Sequence, residues 1–284
     1  RVGVGSGEDL RVDAENFINE GELEATGPGT LRIAGDWSNA GIIRDNGAIV
    51  QLAGTFSFAD LGTLDRQGGE IEIVGTVENS GTTFTLSDAT GQMTLASGGR
   101  VSGGTIASEN DVALIIGSGS TTLDGVTLTA PATLNRVGTL RVENNLVLNS
   151  TLTADLSTRV EFQPPGSGQQ LLTGTGTLII NGSGGSGRSV LRPVGETTLT
   201  IDWGITILAG MTTIGGASGN QTIINRGTII ADRVGSGSGR TVSIDAEQFT
   251  NEGELRAVSP GELEVFGDWT NSGALTTGPG RVIN

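Results

Sequence analysis

Carboxylates are the only side chains in this sequence whose number and placement could support acid–base chemistry. Paired carboxylates can cleave a glycosidic bond, and clustered carboxylates can bind Ca²⁺. The spacing of the candidates does not force them onto one face of any element, so we expect most of them to be solvated charges. The candidates for a polysaccharide-cleaving site are the following residues: Asp111, Asp124, Asp155, Asp202, Arg141 and Arg159.

Several other mechanisms are excluded because the side chains that they need are missing. The chain has no His, Cys or Tyr, and all 16 of its basic residues are Arg. A Ser-His-Asp triad, a His or Cys metal site and a Lys Schiff base therefore cannot form. We expect no enzymatic activity and no cofactor, although acidic segments such as residues 9–15 leave weak Ca²⁺ binding open.

Charge and hydropathy also limit the partners of the chain. A net charge of −15 opposes binding to nucleic acid or to an anionic membrane surface. The apolar runs are far shorter than the roughly 20 residues that a membrane-spanning helix needs. We therefore expect neither a nucleic-acid partner nor insertion into a membrane.

Threonine at regular spacing suggests a different kind of chemistry, the binding of a flat surface. The tripeptide Thr-x-Thr recurs at intervals of 24, 24 and 23 residues. If the middle residue points into the core, the two Thr columns form an outward ladder that could bind a glycan or ice. Thr is also simply favoured at outward strand positions. This predicted lateral binding face comprises Thr127, Thr129, Thr151, Thr153, Thr175, Thr177, Thr198 and Thr200.

A short recurrent motif must organise the elements that carry these residues. It consists of an aromatic or aliphatic residue, an Asn and a Gly at two-residue spacing, followed by an apolar-alternating segment. We expect the aromatic residue to stack in the core, the Asn to bond at a corner to the backbone and to neighbouring Asn residues, and the Gly to take a positive φ. The predicted aromatic stack is Phe17, Trp37, Phe58, Phe249 and Trp269, and the predicted corner ladder is Asn19, Asn39, Asp60, Asn79, Asn225, Asn251 and Asn271.

The period of this motif predicts the fold. Gly accounts for 48 of the 284 residues, and no segment keeps the apolar period of an amphipathic helix. A repeat of this length without helices favours a β-solenoid. We predict an all-β chain that forms a single continuous parallel β-helix over residues 1–284, with roughly 12 turns of about 19–28 residues each. At about 4.8 Å per turn, its length would be about 60 Å.

A second and much longer repeat lies on top of the short one. Residues 1–41 and 233–273 are identical at 24 of 41 positions, glycine spacers included. We interpret residues 1–232 as one long unit of about ten turns, and residues 233–284 as the start of a second unit. The alternative is that packing alone kept two chemically similar turns alike. Because no initiating Met or signal peptide is present, we expect a segment of a longer protein.

Several short segments resemble those of a known class of surface proteins. They are Phe-Ile-Asn-Glu-Gly-Glu-Leu from Phe17, Trp-Ser-Asn-Ala-Gly from Trp37, Gly-Gly-Thr-Ile from Gly103 and Thr-Leu-Asp-Gly-Val-Thr-Leu from Thr122. In this pattern the chain resembles right-handed parallel β-helix proteins of the bacterial surface, which include autotransporter passengers and filamentous-haemagglutinin-like adhesins, and the pectin-lyase-like β-helices. The resemblance implies a right-handed coil, a location outside the cell or at its surface, and a structural or adhesive role.

Three functions from different classes follow from these observations. The first is a structural segment of an extracellular fibre, filament or surface stalk, whose partners are copies of itself joined end to end or in tandem. The second is an adhesin that uses the lateral Thr face to bind a glycan or ice. The third is a polysaccharide lyase or hydrolase that uses the aspartates.

Overall fold

The computed structural model describes residues 9–164, 168–182, 188–216, 221–232, 241–258, 260–278 and 281–283. In this part of the chain, parallel strands stack into a β-solenoid of about 12 turns with about 21 residues per turn, which confirms the predicted fold class. The one helical segment among these residues is a single 3-10 turn, Phe58–Leu61.

Each turn visits three faces in the same order, and strands on one face pair with those of the next turn. The first face is a thirteen-stranded sheet that runs the length of the described solenoid. Its strands are β1 (Asp9–Asn19), β3 (Thr30–Asn39), β5 (Ile49–Leu52), β8 (Glu70–Ile73), β11 (Met93–Leu95), β14 (Leu114–Ile116), β16 (Ala132–Leu134), β18 (Thr151–Ala154), β21 (Thr177–Ile180), β24 (Thr206–Ala209), β27 (Thr228–Ala231), β29 (Glu254–Ala257) and β31 (Ala274–Thr277).

The second face follows the first within each turn, after a tight corner. The ends of β1 and β3 bend onto it. Its other strands are β6 (Thr55–Phe56), β9 (Thr76–Glu78), β12 (Arg100–Ser102), β15 (Gly119–Leu128), β17 (Gly138–Leu148), β19 (Arg159–Phe162), β22 (Ser189–Pro193), β25 (Thr212–Gly215), β28 (Thr241–Asn251), β30 (Glu262–Asn271) and β32 (Arg281–Ile283).

The third face completes each turn before the chain returns to the first. The ends of β15, β17, β28 and β30 bend onto it, so these four strands serve two faces. In the first three turns its place is taken by a separate three-stranded sheet. Its strands are β2 (Glu22–Thr26), β4 (Ile42–Asn46), β7 (Thr63–Arg66), β10 (Thr83–Leu86), β13 (Thr105–Ser108), β20 (Gly168–Gly174), β23 (Thr197–Ile201) and β26 (Thr222–Asn225).

Alternation within each short strand creates the core. In β21, Leu178 and Ile180 point inward and are buried, while Thr177 and Ile179 face outward. Because side chains alternate with period two, every in-register strand adds its inward residues to one continuous apolar column. Burial of each Leu or Ile contributes about 1.5–3 kcal/mol, and this burial fixes which residues remain outside.

Candidate functional site

The first motif asparagines form a ladder at the corner between the second and third faces. Asn19 Nδ2 donates a hydrogen bond to Asn39 Oδ1 at 2.6 Å, and Asn39 Nδ2 donates to the carbonyl of Leu61 at 2.6 Å. The backbone N–H of Gly41 also donates to Asn39 Oδ1, at 3.1 Å. Each amide therefore satisfies polar backbone at a buried corner and binds the following turn.

A second Asn ladder occupies the end of the solenoid that holds residues 225–273. Asn225 Nδ2 donates to Asn251 Oδ1 at 2.8 Å, and Asn251 Nδ2 donates to Asn271 Oδ1 at 2.7 Å. In both ladders the Nδ2 donor points towards the later turn, so the ladders have a direction. Asn225 Oδ1, which is buried at the start of the second ladder, finds no hydrogen-bond donor among the described residues.

Asp60 and Asn79 differ from the predicted ladder. The Asp60 carboxylate turns back to accept hydrogen bonds from the backbone N and Oγ of Ser57, at 2.8 and 2.7 Å, and so caps the 3-10 turn. The 3-10 turn makes the chain two residues longer here, so the motif residues do not stack in register on those of the turn below. Asn79 Nδ2 donates to the carbonyls of Thr82 and Thr105, at 3.4 and 3.3 Å, and its Oδ1 accepts from the Thr82 hydroxyl at 2.5 Å, so its partners are threonines where the ladder predicts asparagines.

The same shift divides the predicted aromatic stack. Trp37 contacts Phe56, with ring centroids 4.7 Å apart, and its indole N–H donates to the carbonyl of Ala53 at 2.8 Å. Phe58 instead stacks on Phe84, with centroids 3.9 Å apart and planes within 9°. The other predicted aromatics occupy paired positions in strand register: Phe17 with Trp37, and Phe249 with Trp269.

The motif glycines are required for close packing of backbones more than for a positive φ. A Cβ at Gly41 would overlap the carbonyl of Gly21 in the turn below, and the same overlap recurs at Gly253. Of the motif glycines, only Gly62 and Gly81 have the predicted positive φ. The prediction of positive φ is therefore wrong for the sharpest copies, because their corners are shaped by backbone-to-backbone contact between turns.

The two nearly identical segments lie on different faces of the solenoid. The strand that follows Gly21, β2, belongs to the third face, whereas the strand that follows Gly253, β29, belongs to the first face. On the first face, β27 lies ten turns after β1, and the next strand in the chain, β28, begins on the second face. The offset of 232 residues therefore corresponds to ten and one-third turns, where the sequence predicted about ten. The glycine-rich starts of both segments, residues 1–8 and 233–240, lie outside the described residues.

The predicted Thr face is not assembled as the sequence suggests. Of its eight residues, strand register pairs only Thr151 with Thr177, on the first face. That pair is extended by Thr206 and Thr228, which gives a column of four threonines in consecutive turns. The remaining predicted positions are distributed as follows: Thr127, Thr198 and Thr200 on the third face, Thr153 beside Thr133 and Ile179, and Thr129 and Thr175 at corners.

The last described turns expose two large apolar side chains. Leu275 is 44% exposed, although Leu255, its partner in strand register one turn earlier, is fully buried. Phe266 is 48% exposed and occupies an outward strand position, in register with Asp245. Asn271 is exposed and its Nδ2 donates to the carbonyl of Gly273 at 3.3 Å, while the described residues place no further Asn above it. Among the described residues, β31 pairs only with β29, whereas β32 pairs with β30 on the second face.

The candidate catalytic aspartates are separated by the fold. Asp111 and Asp202 lie at corners between the third and first faces, in different turns, whereas Asp155 lies between the first and second faces. Asp124 Oδ2 accepts a hydrogen bond from Arg100 at 2.7 Å, and Asp202 accepts one from Thr173 at 3.1 Å. Within the described ranges, no group of three or more acidic side chains could hold a metal ion.

Ion pairs between turns neutralise part of the acidic surface. Arg100 binds Asp124 and Glu143 of the two following turns, at 2.7 and 2.8 Å. The bond with Glu143 and the bond with Asp124 raise the pKa of Arg100. Burial alone would raise the pKa of Asp124, but hydrogen bonds from Asn144, Arg100 and Ser102 outweigh it and the pKa is lowered.

Asp45 is the opposite case, a carboxylate buried without a strong cationic partner. It is fully buried at the corner between β4 and β5, where its Oδ1 accepts a hydrogen bond from the N–H of Ala48 at 2.9 Å. Its Oδ2 finds no hydrogen-bond partner among the described residues. Burial raises the pKa of Asp45, and the backbone of Ala48 and Gly69 and the charge of Arg66 only partly offset this effect.

A depression of about 580 Å³ lies along the edge of the first face, near the Asp45 corner. Arg66 and Glu70 supply its charges, and Ile49 and Ile115 its apolar floor. Arg66 Nε is already bound to the carbonyl of Gly69 at 2.7 Å, and Glu70 accepts from Thr94 at 2.8 Å. Both charged side chains of the depression are thus already hydrogen-bonded.

Over the described ranges, no helix is long and apolar enough to cross a membrane.

Comparison with known proteins adds no relative to this description. No family model matches the chain, and neither a curated protein nor a solved structure matches it. The fold alone defines the class of this protein, which is a β-solenoid repeat protein.

Proposed function

We propose that this protein is a structural segment of an extracellular fibre, filament or surface stalk, in which β-solenoid units continue end to end. The observation that carries this proposal is the direction of the Asn ladders. In each Asn–Asn contact of the ladders, Nδ2 donates to the Asn of the later turn; Asn271 is the last Asn of the second ladder among the described residues, and Asn19 begins the first ladder at the opposite end. A head-to-tail contact of this kind does not close on itself and extends into a filament.

The same motif residues are present near both ends of the chain. Trp269, Asn271 and Gly273 repeat the pattern of Phe17, Asn19 and Gly21. The open end also exposes Leu275, which a following turn would bury. Units that continue in one polypeptide and units that associate as separate chains would use the same contacts. Placement outside the cell or at its surface rests on the resemblance of the sequence to bacterial surface β-helices.

Sedimentation velocity tests the noncovalent form of this proposal. At rising protein concentration, we expect species whose mass grows in whole units and whose frictional ratio grows with mass, as for rods joined at their ends. Leu275→Glu should prevent this growth, because it places a charge in the end contact. Thr222→Glu, an outward substitution on the third face, is the matched control and should assemble normally.

A second candidate function is binding of a glycan or ice by the first face. The column Thr151, Thr177, Thr206 and Thr228 favours it, since four hydroxyl-bearing side chains repeat at the spacing of the turns. Glycan-array binding or inhibition of ice recrystallisation that is lost in Thr177→Tyr and Thr206→Tyr, but kept in Thr222→Tyr, would support it. We propose no enzymatic role, no cofactor, and no nucleic-acid or membrane-inserted partner, since the aspartates are dispersed and the chain carries a charge of −15.

A further inference from the structure

One stretch of the first face is free of charge in this strongly acidic chain. Consecutive turns place six uncharged residues in one outward column, between Glu72 and Thr94 on one side and Arg256 on the other. The Thr column lies beside it on the same strands. We define the uncharged strip by these two columns: Ile115, Thr133, Thr153, Ile179, Leu208 and Ile230, and Thr151, Thr177, Thr206 and Thr228.

The uncharged strip faces outward throughout. Ile179, Leu208 and Ile230 are partly exposed, whereas the residues on both sides of each in its strand are buried. Three large aliphatic side chains in adjacent turns therefore form a continuous apolar ridge on the surface of the solenoid. Outward strand positions of a protein that faces only water are more often polar.

We propose that the uncharged strip binds the same strip of a second copy of this chain, so that two solenoids pair side by side. A second copy repeats its side chains at the same spacing, about 4.8 Å per turn, so the outward columns of the two copies remain in register over all six turns. Flat sheets with a common repeat pack face to face at about 10 Å. Because each copy carries a charge of −15, contact is least repulsive where charge is absent.

The order of the columns favours antiparallel solenoids. A two-fold axis along the strands sets the aliphatic column of one copy on that of the other, with Ile115 of one copy against Ile230 of the other. In this arrangement Thr153 of one copy lies against Ile179 of the other. A two-fold axis along the solenoid that set this column on itself would bring the Thr column over the corner that follows the strands, which carries Asp155 and Asp232. The antiparallel pair therefore keeps both uncharged columns in contact and away from these charges.

The size of the uncharged strip predicts a weak and reversible pair. The ten residues of the strip, six in one column and four in the other, cover an area of about 320 Å² per copy, given the spacing between turns and between alternate strand residues. Two exposed apolar residues lie at the corners that border it, Trp203 at 66% and Val137 at 64% exposure. With them the total buried area reaches about 1,000 Å², the lower limit for a specific interface.

Sedimentation equilibrium of the full chain, from micromolar to about millimolar concentration, tests this pairing. Leu275→Glu serves as the background, so that end-to-end growth and lateral pairing are separated. We expect a monomer–dimer equilibrium that is stronger in 1 M than in 0.1 M NaCl, because salt screens the repulsion between acidic copies. Ile179→Glu should weaken it at least tenfold, and Thr222→Glu should leave it unchanged. A monomer at all concentrations and both salts overturns the proposal.

Cysteine cross-linking with a short bismaleimide tests the direction, since the chain has no Cys of its own and facing residues of sheets about 10 Å apart are beyond disulfide reach. A mixture of Ile115→Cys and Ile230→Cys proteins should form a mixed cross-linked dimer, and neither protein alone should do so at the same rate. Equal trapping of each protein with itself would overturn the antiparallel arrangement. A different outcome would assign the strip to a glycan. In that case the Leu275→Glu protein would form no dimer but would bind neutral glycans, and the Ile179→Glu substitution would abolish this binding. Growth of rods in length without growth in width would retain the proposed fibre and reject the lateral pair.

Discussion

Leu23 and Leu255 lie on different faces of the solenoid, although they occupy the same position in two nearly identical segments. Leu23 pairs with Ile43 on the third face, and Leu255 pairs with Ile229 and Leu275 on the first face. The long repeat thus advances the motif by one face as well as by ten turns. In an array of such units, a given lateral surface would face three directions in turn and return after about 31 turns, or about 150 Å.

The change of face can be tested with engineered disulfides. Arg256 lies in register with Ile230 of the first face. If the long repeat were a whole number of turns, Arg256 would instead lie over Ile224 of the third face. The double variant with Cys at positions 230 and 256 should oxidise readily, because in-register parallel residues are within disulfide reach. Preferential oxidation of the variant with Cys at positions 224 and 256 would contradict the assignment.

Backbone contact at the motif glycines predicts different effects of one substitution at two positions. Gly41→Ala should destabilise the chain by several kcal/mol, roughly as other severe steric changes do, because the new Cβ overlaps the carbonyl of Gly21. Gly21→Ala has nothing within 4 Å of the new Cβ and should leave the melting temperature nearly unchanged. Thermal unfolding followed by circular dichroism compares the two, and equal loss would refute the backbone-contact explanation.

The Asn ladder predicts a cost that depends on position within it. Asn251→Ala removes the acceptor of the buried Asn225 Nδ2 and the donor to Asn271, so we expect a loss of about 1–3 kcal/mol. Asn271→Ala, at the exposed end of the ladder, should cost less than about 0.5 kcal/mol. Hydrogen exchange of the amides around both corners measures the local loss. A larger effect at Asn271 than at Asn251 would count against the ladder.

Asp45 and Asp124 predict opposite dependences of stability on pH. The pKa of Asp45 is raised by burial, so its ionisation destabilises the fold as pH rises from the unfolded-state pKa through the folded-state pKa. Asp45→Asn should therefore raise the melting temperature at pH 7 and lose this advantage near pH 3. The pKa of Asp124 is lowered, so its stabilisation is present above the unfolded-state pKa and is lost as pH falls through the folded-state pKa.

Asp124→Asn is therefore the control for that experiment. It should lower the melting temperature at pH 7, because Arg100 loses a charged partner, and should differ little from the wild type in strong acid. Melting curves of the wild type and the two variants between pH 3 and pH 7 measure these differences in melting temperature. A shift of the same sign for both substitutions at pH 7 would disprove the assigned pKa directions.

The sequence predicted the all-β solenoid, its number of turns and three Asn–Asn contacts, because a corner needs the same residues in each turn. It did not place the Thr residues correctly, because the interval between stacked positions varies with corner length. Thr151, Thr177, Thr206 and Thr228 are 26, 29 and 22 residues apart, whereas the regular intervals of 23 and 24 residues join different faces. A regular interval in sequence is therefore a poor guide to a lateral surface when corners differ in length.

The Asp60 position shows a second limit of the sequence pattern. Phe58, Asp60 and Gly62 match the motif in spacing, but Ser57 offers Asp60 a local cap and the segment forms a 3-10 turn. Local hydrogen bonding by Asp and Ser competes with the stacked arrangement, and a spacing rule does not weigh that competition. The signal that could have indicated it is the Ser-x-x-Asp pattern of a cap.

Electron microscopy of the purified chain over a range of concentrations tests the proposed fibre most directly. We expect rods about 60 Å long at low concentration, and longer rods in whole multiples of that length at high concentration. Leu275→Glu should leave only the shortest rods, and Thr222→Glu should behave as the wild type. Rods of one length at every concentration, unchanged by Leu275→Glu, would contradict end-to-end association of separate chains.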